Sequence, residues 1–172
     1  MRALALLFVV AAFAYVADRL SKIAVVDNLP LGEEVPVLGE VLQFRYVENP
    51  GAAFSIGEGT TWIFAIIATA VAVVIVIFAR RIRSTGWAVL FGMLLGGTLG
   101  NLTDRLTRPP SFGQGHVVDF IQVIYFPAIF NIADIAIVAS MGLLILLVLR
   151  GVGLDGTRTP AKSAEPAVDD QV

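Results

Sequence analysis

Cysteine is absent from all 172 residues, and histidine occurs once, as His116. Without a thiol there is no cysteine nucleophile, no disulfide and no cysteine-bound metal. A single imidazole makes a His-rich zinc site or an ordinary Ser-His-Asp triad hard to build, and no metal or other cofactor is expected. Charge is scarce as well: 15% of residues carry one, against about a quarter in an ordinary soluble domain. The net charge of −2 lacks the basic excess of a nucleic-acid surface, so no nucleic-acid partner is expected. Neither a phosphate-binding glycine loop nor an HExxH motif is present. What is plentiful is apolar residues, at 57%, with carboxylates outside the long hydrophobic runs. This is the composition of an integral membrane protein.

Hydropathy predicts four membrane helices, at about 3–26, 61–79, 86–102 and 132–149. The first begins like a signal peptide, and Ala12-Phe13-Ala14 resembles a cleavage site. Its apolar character resumes beyond Asp18 and three further spans follow, so an uncleaved helix is expected. Arg2, the Arg80-Arg81-Arg83 cluster, Arg150, Arg158 and Lys162 fall on one side of these spans. The positive-inside rule then places both termini in the cytoplasm. Trp62 and Trp87 sit at span starts, where interfacial aromatics belong. Residues 1–150 thus form the membrane domain, and 151–172, small, polar and Pro-containing, are expected to be a disordered cytoplasmic tail. The connections 27–60 and 103–131 face outward. In 41–47, Leu42, Phe44 and Tyr46 alternate with Gln43 and Arg45, a strand pattern, and 116–125 is β-branched and extended-looking. The expected fold is an all-α integral membrane protein of four transmembrane helices with a small extracytoplasmic β-sheet.

Apart from the arginines at the cytoplasmic ends, every membrane-edge charge falls at the outer end of a helix. Asp18 and Lys22 lie four apart in the first span, Asn101, Asp104 and Arg105 share a face in the third, and Asn131 and Asp134 open the fourth. Each has an ordinary local explanation. Asp18–Lys22 reads as a snorkelling interfacial pair, and the third-span group as a helix end satisfying its own carbonyls. Asn131 reads as an N-cap with Asp134 favoured by the helix dipole, Asp119 as a loop hydrogen-bonder and His116 as a solvated side chain. Taken together these explanations weaken, because three helices bring acids to the same depth. Gly92, Gly96 and Gly100, with Gly97 adjacent, also let another helix approach the third span closely.

Two carboxylates forced together in a dry place share a proton, so one activates water while the other protonates or stabilises the substrate. Ser21 beside Lys22 is a rival nucleophile, weakened because neighbouring helical residues point about 100° apart.

The motifs Asp18-Arg-Leu-Ser-Lys22, Asn49-Pro-Gly-Ala-Ala-Phe-Ser55, Gly96-Gly-Thr-Leu-Gly-Asn-Leu-Thr-Asp-Arg105, Val117-Val-Asp-Phe-Ile121 and Phe130-Asn-Ile-Ala-Asp-Ile-Ala-Ile137 resemble, in order, those of the lipoprotein signal peptidase (signal peptidase II) family. Arg19, often Gln there, and Ile135, often Ser, depart from the commonest pattern. The resemblance implies an aspartic endopeptidase of the bacterial cytoplasmic membrane whose active site lies near the extracytoplasmic face. It implies Asp119 and Asp134 as the catalytic pair. It also implies that Asp18, Lys22, Asn49, Gly51, Asn101, Asp104, Arg105, Asn131 and Ala133 shape the site or contact substrate and globomycin-type peptide inhibitors. The implied substrate is a prolipoprotein with a diacylglyceryl-modified lipobox cysteine, cut on the amino side of that cysteine by a monomer embedded in membrane lipid. The tail beyond Arg150 receives no role from the resemblance. Two rivals remain: a small transporter, which would spread its acids through the membrane depth, and a non-catalytic assembly subunit, in which Asp119 and Asp134 would serve folding alone.

Overall fold

The computed structural model describes residues 2–51 and 61–158. Along the chain run α1 (Arg2–Asn28), β1 (Glu34–Leu38), β2 (Leu42–Asn49), α2 (Thr61–Phe78), α3 (Thr85–Thr107), β3 (Val117–Val123) and α4 (Ile132–Leu149). All four helices are long and apolar enough to cross a membrane. They correspond to the four expected spans, with one instructive difference. α3 continues to Thr107, whereas the hydropathy boundary falls at 102. Hydropathy stops at the first charges, but the helix does not, because Asp104 and Arg105 are buried among partners rather than solvated. Thr103 and Thr107 also turn their hydroxyls back onto the carbonyls of Leu99 and Thr103, each at 2.7 Å.

α3 is the axis of the bundle, and its glycines serve more than one neighbour. A Cβ on Gly92 or Gly96 would strike α1, at the carbonyls of Leu7 and Ala11, while one on Gly97 would strike Ala133 and Ile137 of α4. At Gly100 a Cβ would meet the Asp18 carboxylate and Ala133 together. Close approach of three helices is therefore built into this one face. α2 packs through Ala65, Ala72 and Ile75 and leaves Ile66, Val73 and Ile77 outward, as a lipid-facing anchor does.

The two long connections form a three-stranded antiparallel sheet in the order β1-β2-β3. β1 carries none of the alternation that marks β2, and its Pro36 suits it to the edge. Val25 at the end of α1 joins Tyr46, Val118, Phe120 and Ile121 in a second apolar core, which fastens the sheet to the bundle.

The first residues of the tail, 151–158, make contacts with the start of α3. Val152 bridges Arg158, the Trp87 indole donates to the Val152 carbonyl at 2.9 Å, and the amides of Arg83 and Ser84 donate to the Leu154 carbonyl at 2.9 and 3.0 Å. The residues here make a turn that closes the N-terminal end of α3. The expectation for 159–172 lies outside the described residues, as do residues 52–55 of the NPGAAFS motif.

Candidate active site

After β3 the chain doubles back. The Phe130 carbonyl accepts from the amides of Phe120 and Ile121 at 3.0 and 2.8 Å, and its amide donates to the Ile121 carbonyl at 3.1 Å. This return sets Asn131, the first polar residue after it, beside Asp119. Asn131 then caps α4. Its Oδ1 accepts from the Asp134 amide at 3.0 Å, and Asp134 Oδ2 accepts from the Asn131 amide at 3.1 Å, a reciprocal capping box. The cap that starts the helix thereby aims the Asp134 carboxylate.

Three asparagines wire the two acids together. Asp119 accepts from Asn131 Nδ2 at 2.6 Å on Oδ1 and from Asn49 Nδ2 at 2.9 Å on Oδ2. Asp134 Oδ1 accepts from Asn101 Nδ2 at 2.8 Å. Asn101 Oδ1 in turn accepts from Asn131 Nδ2 at 3.1 Å and from Lys22 Nζ at 2.8 Å. Neutral amides suit this task, since each can donate to a carboxylate without cancelling its charge.

Behind the acids lies a buried ionic cluster. Lys22 Nζ sits 2.9 Å from both Asp18 and Asp104, and all three side chains are fully buried. Arg108 Nε, at 2.7 Å, and the Arg19 guanidinium complete the surroundings of Asp104. Removing one partner of such a cluster strands a charge, at a cost of about 3–5 kcal/mol. The remaining oxygens reach the backbone next to each acid: Asp18 Oδ1 accepts from the Ala133 amide at 3.0 Å, and Asp104 Oδ2 from the Val118 amide at 3.3 Å. Arg105 donates to the Gly51 carbonyl at 3.1 Å and lies over the Phe64 ring, 5.6 Å from its centroid.

Asp119, Asp134, Asn49, Asn101 and Arg105 all open onto one cleft of about 840 Å³. Its other wall is apolar, made by Phe126, Ile129 and Phe130 before α4 and by Ile135, Val138 and Ala139 along it. Burial, and next the negative charge of Asp134, push the Asp119 carboxyl up to about 7 against the pull of Asn49 and Asn131.

Residues 10–150 match the model of the signal peptidase (SPase) II family. The chain belongs to that family. The lipoprotein signal peptidase of Leifsonia xyli is 56% identical over 98% of this chain and 80% of its own length. That of Streptomyces coelicolor is 49% identical over 91% of this chain and 76% of its own. Two solved structures of bacterial membrane enzymes superpose with TM-scores of 0.76 and 0.73, at 26% and 29% identity. They cover 91% and 84% of this chain and 94% and 92% of their own. The chain is thus a multi-pass bacterial membrane hydrolase that acts in lipoprotein processing.

The residues singled out from sequence come together in this site. Asp18 and Lys22 are not a snorkelling surface pair but lie at zero exposure in the bundle. Asp119 stands on β3 rather than in a loop. Ala133 contributes its amide and its close fit to Gly100, and Gly51 its carbonyl to Arg105. The Ser21–Lys22 pair does not form: the Ser21 hydroxyl donates to the Asp18 carbonyl at 2.9 Å, and Lys22 faces the acids. Arg108 was findable from its four-residue spacing to Asp104, whereas Arg19 reaches Asp104 across 85 residues of chain and carries no local signal. His116 is not simply solvated, since its Nδ1 lies 3.9 Å from a Glu48 oxygen.

Proposed function

We propose that the chain removes the signal peptide from diacylglyceryl-modified prolipoproteins, cutting on the amino side of the lipidated cysteine, with Asp119 and Asp134 as an acid–base pair around a water. The observation that carries this reading is the convergence of two carboxylates, from β3 and from the first turn of α4, on one cleft through shared asparagines.

Two neighbouring carboxylates hold one proton between them and titrate as a unit. The unprotonated member takes a proton from water as its oxygen attacks the scissile carbonyl carbon, and the protonated member gives its proton to the carbonyl oxygen. Collapse of the tetrahedral intermediate returns that hydroxyl proton to its carboxylate. The other carboxyl protonates the amide nitrogen as the C–N bond breaks. The raised affinity of Asp119 for a proton keeps one available near neutrality.

The location fits the substrate. The cleft's apolar wall follows α4, whose Ile135 and Val138 face outward, so a hydrophobic signal helix and diacylglyceryl chains can lie against it while the scissile bond reaches the acids. The sheet beyond the helix ends suits the segment that follows the cysteine. Arginine placement supports a topology with both termini in the cytoplasm and this cleft at the outer face. A globomycin-type peptide would occupy the same cleft of a monomeric enzyme.

The test uses wild type, Asp119→Asn and Asp134→Asn in detergent with a diacylglyceryl precursor peptide. Each variant should keep its Tm within a few degrees and lose at least about 1000-fold in kcat/KM, since removing a group that acts within a unit removes nearly the unit's whole effect. Near wild-type cleavage by either folded variant rules out the two-aspartate mechanism.

A further inference from the structure

A second hollow, of about 460 Å³, lies among α1, α2 and α3 and shares no lining residue with the cleft. α1 supplies Phe8, Ala12 and Tyr15 to it, α2 Val73 and Ile77, and α3 Leu99. Tyr15, nearest the sheet end of α1, is the one lining residue with a polar group, and its hydroxyl lies 3.4 Å from that of Thr103. The same face of α1 continues one turn further to Arg19, four residues beyond Tyr15. Arg19 donates to Asp104, the residue after Thr103, so its guanidinium is held next to the Tyr15–Thr103 contact.

Length and charge both point to one kind of occupant. From Arg19 down to Phe8 the helix runs about 16 Å at 1.5 Å per residue. That is half the roughly 30 Å hydrocarbon thickness of a bilayer, the depth that one lipid chain occupies. Three cations, Arg19, Lys22 and Arg108, share two carboxylates, Asp18 and Asp104, which leaves this ion-paired group one positive charge in excess. Arg19 and Arg108 are its partly exposed members, and the other three side chains are fully buried. The nearby Glu48 does not offset the excess by contact, since its carboxylate is turned to Tyr46 and His116. Asp104 engages one nitrogen of Arg19, whose five N–H groups can serve a phosphate as well.

We propose that this hollow binds one anionic phospholipid, with an acyl chain along Phe8, Val73 and Leu99 and the phosphate at Arg19 and the Tyr15 hydroxyl. The lipid clamps α1 to α2 and α3 at a site separate from the cleavage reaction proposed above. A zwitterionic lipid fills the same groove but leaves the excess charge unmatched.

The experiment adds phosphatidylglycerol or phosphatidylcholine with identical chains to protein delipidated in detergent, and counts the lipids retained per chain by native mass spectrometry. Wild type should retain one phosphatidylglycerol, about tenfold more tightly than phosphatidylcholine, and should gain more in Tm from it. Arg19→Gln, which keeps a donor for Asp104 without the charge, should bring the two lipids within about twofold. Ala12→Phe, which fills the hollow from an exposed position, should cut retention of both lipids while leaving the lipid-free Tm within a few degrees of wild type. Val9→Phe, exposed on α1 but off the hollow, should bind as wild type does. Equal affinity of wild type for the two lipids overturns the inference, as does undiminished preference in Arg19→Gln or undiminished retention in Ala12→Phe. A dimer that Ala12→Phe dissociates also overturns it, by making a second copy the occupant. Every readout is binding or melting, so failure of the cleavage reading would leave these outcomes unchanged.

Discussion

Asn131 touches both halves of the acidic pair, donating to Asp119 and trading hydrogen bonds with Asp134 across the helix cap. The consequence for pH follows from Asp119, whose carboxyl rises from 3.8 to about 7. As pH climbs through about 7 the pair loses its shared proton, so kcat/KM should fall on that limb. It should fall again at low pH, when a second proton removes the base. Stability follows the same group. A raised folded-state value means the native protein keeps a proton that the unfolded chain has released. Between about 4 and 7, native stability should therefore decline as pH rises. Asp119→Asn removes that dependence, so its Tm should drop less than the wild type's between pH 5 and pH 8. An equal drop in both proteins would contradict the assignment. Much of this was legible at the residue scale: the Asn131–Asp134 spacing announces a capping box, and the carboxylate surplus narrows the chemistry. The asparagine wiring was not. It depends on side chains from β2, α3 and α4 meeting, and no spacing in the chain reports such a meeting.

α3 is the element on which the site's geometry depends, because its glycines set the distances to α1 and α4. Gly97→Ala would press a methyl against the Ala133 carbonyl, one residue from Asp134. Overpacking of this kind costs about 1–3 kcal/mol and shifts backbone. Gly97→Ala should lower kcat/KM at least about tenfold, whereas Gly142→Ala, with open space around its Cβ position, should be neutral in the same assay. Equal activity of the two would mean that α4 tolerates displacement. The four helices were readable because long apolar runs have one stable outcome in a membrane. The last turn of α3 was hidden because its charges look solvated until Lys22, Arg19 and Arg108 are placed around Asp104. β1 was hidden because an edge strand with a proline and mostly exposed side chains has no period to read.

The whole molecule has a polar end and an apolar one. The buried acids and their cations gather at the sheet, where a transporter would distribute them through the bilayer. Because the chain contains no cysteine, single cysteines can report which way this end faces. Ser111→Cys, exposed between α3 and β3, should react with a membrane-impermeant maleimide on intact spheroplasts. Asp155→Cys, exposed beyond α4, should react only after permeabilisation. The opposite labelling would invert the orientation. The cleft's apolar wall, lying along the outward side of α4, has a kinetic consequence. The lipid-anchored substrate proposed above would meet such a wall by lateral diffusion, in two dimensions. The quantity that governs its encounter is moles of substrate per mole of lipid. Diluting membranes with buffer leaves that quantity alone, whereas adding empty lipid to the same bilayer thins the substrate and slows the enzyme.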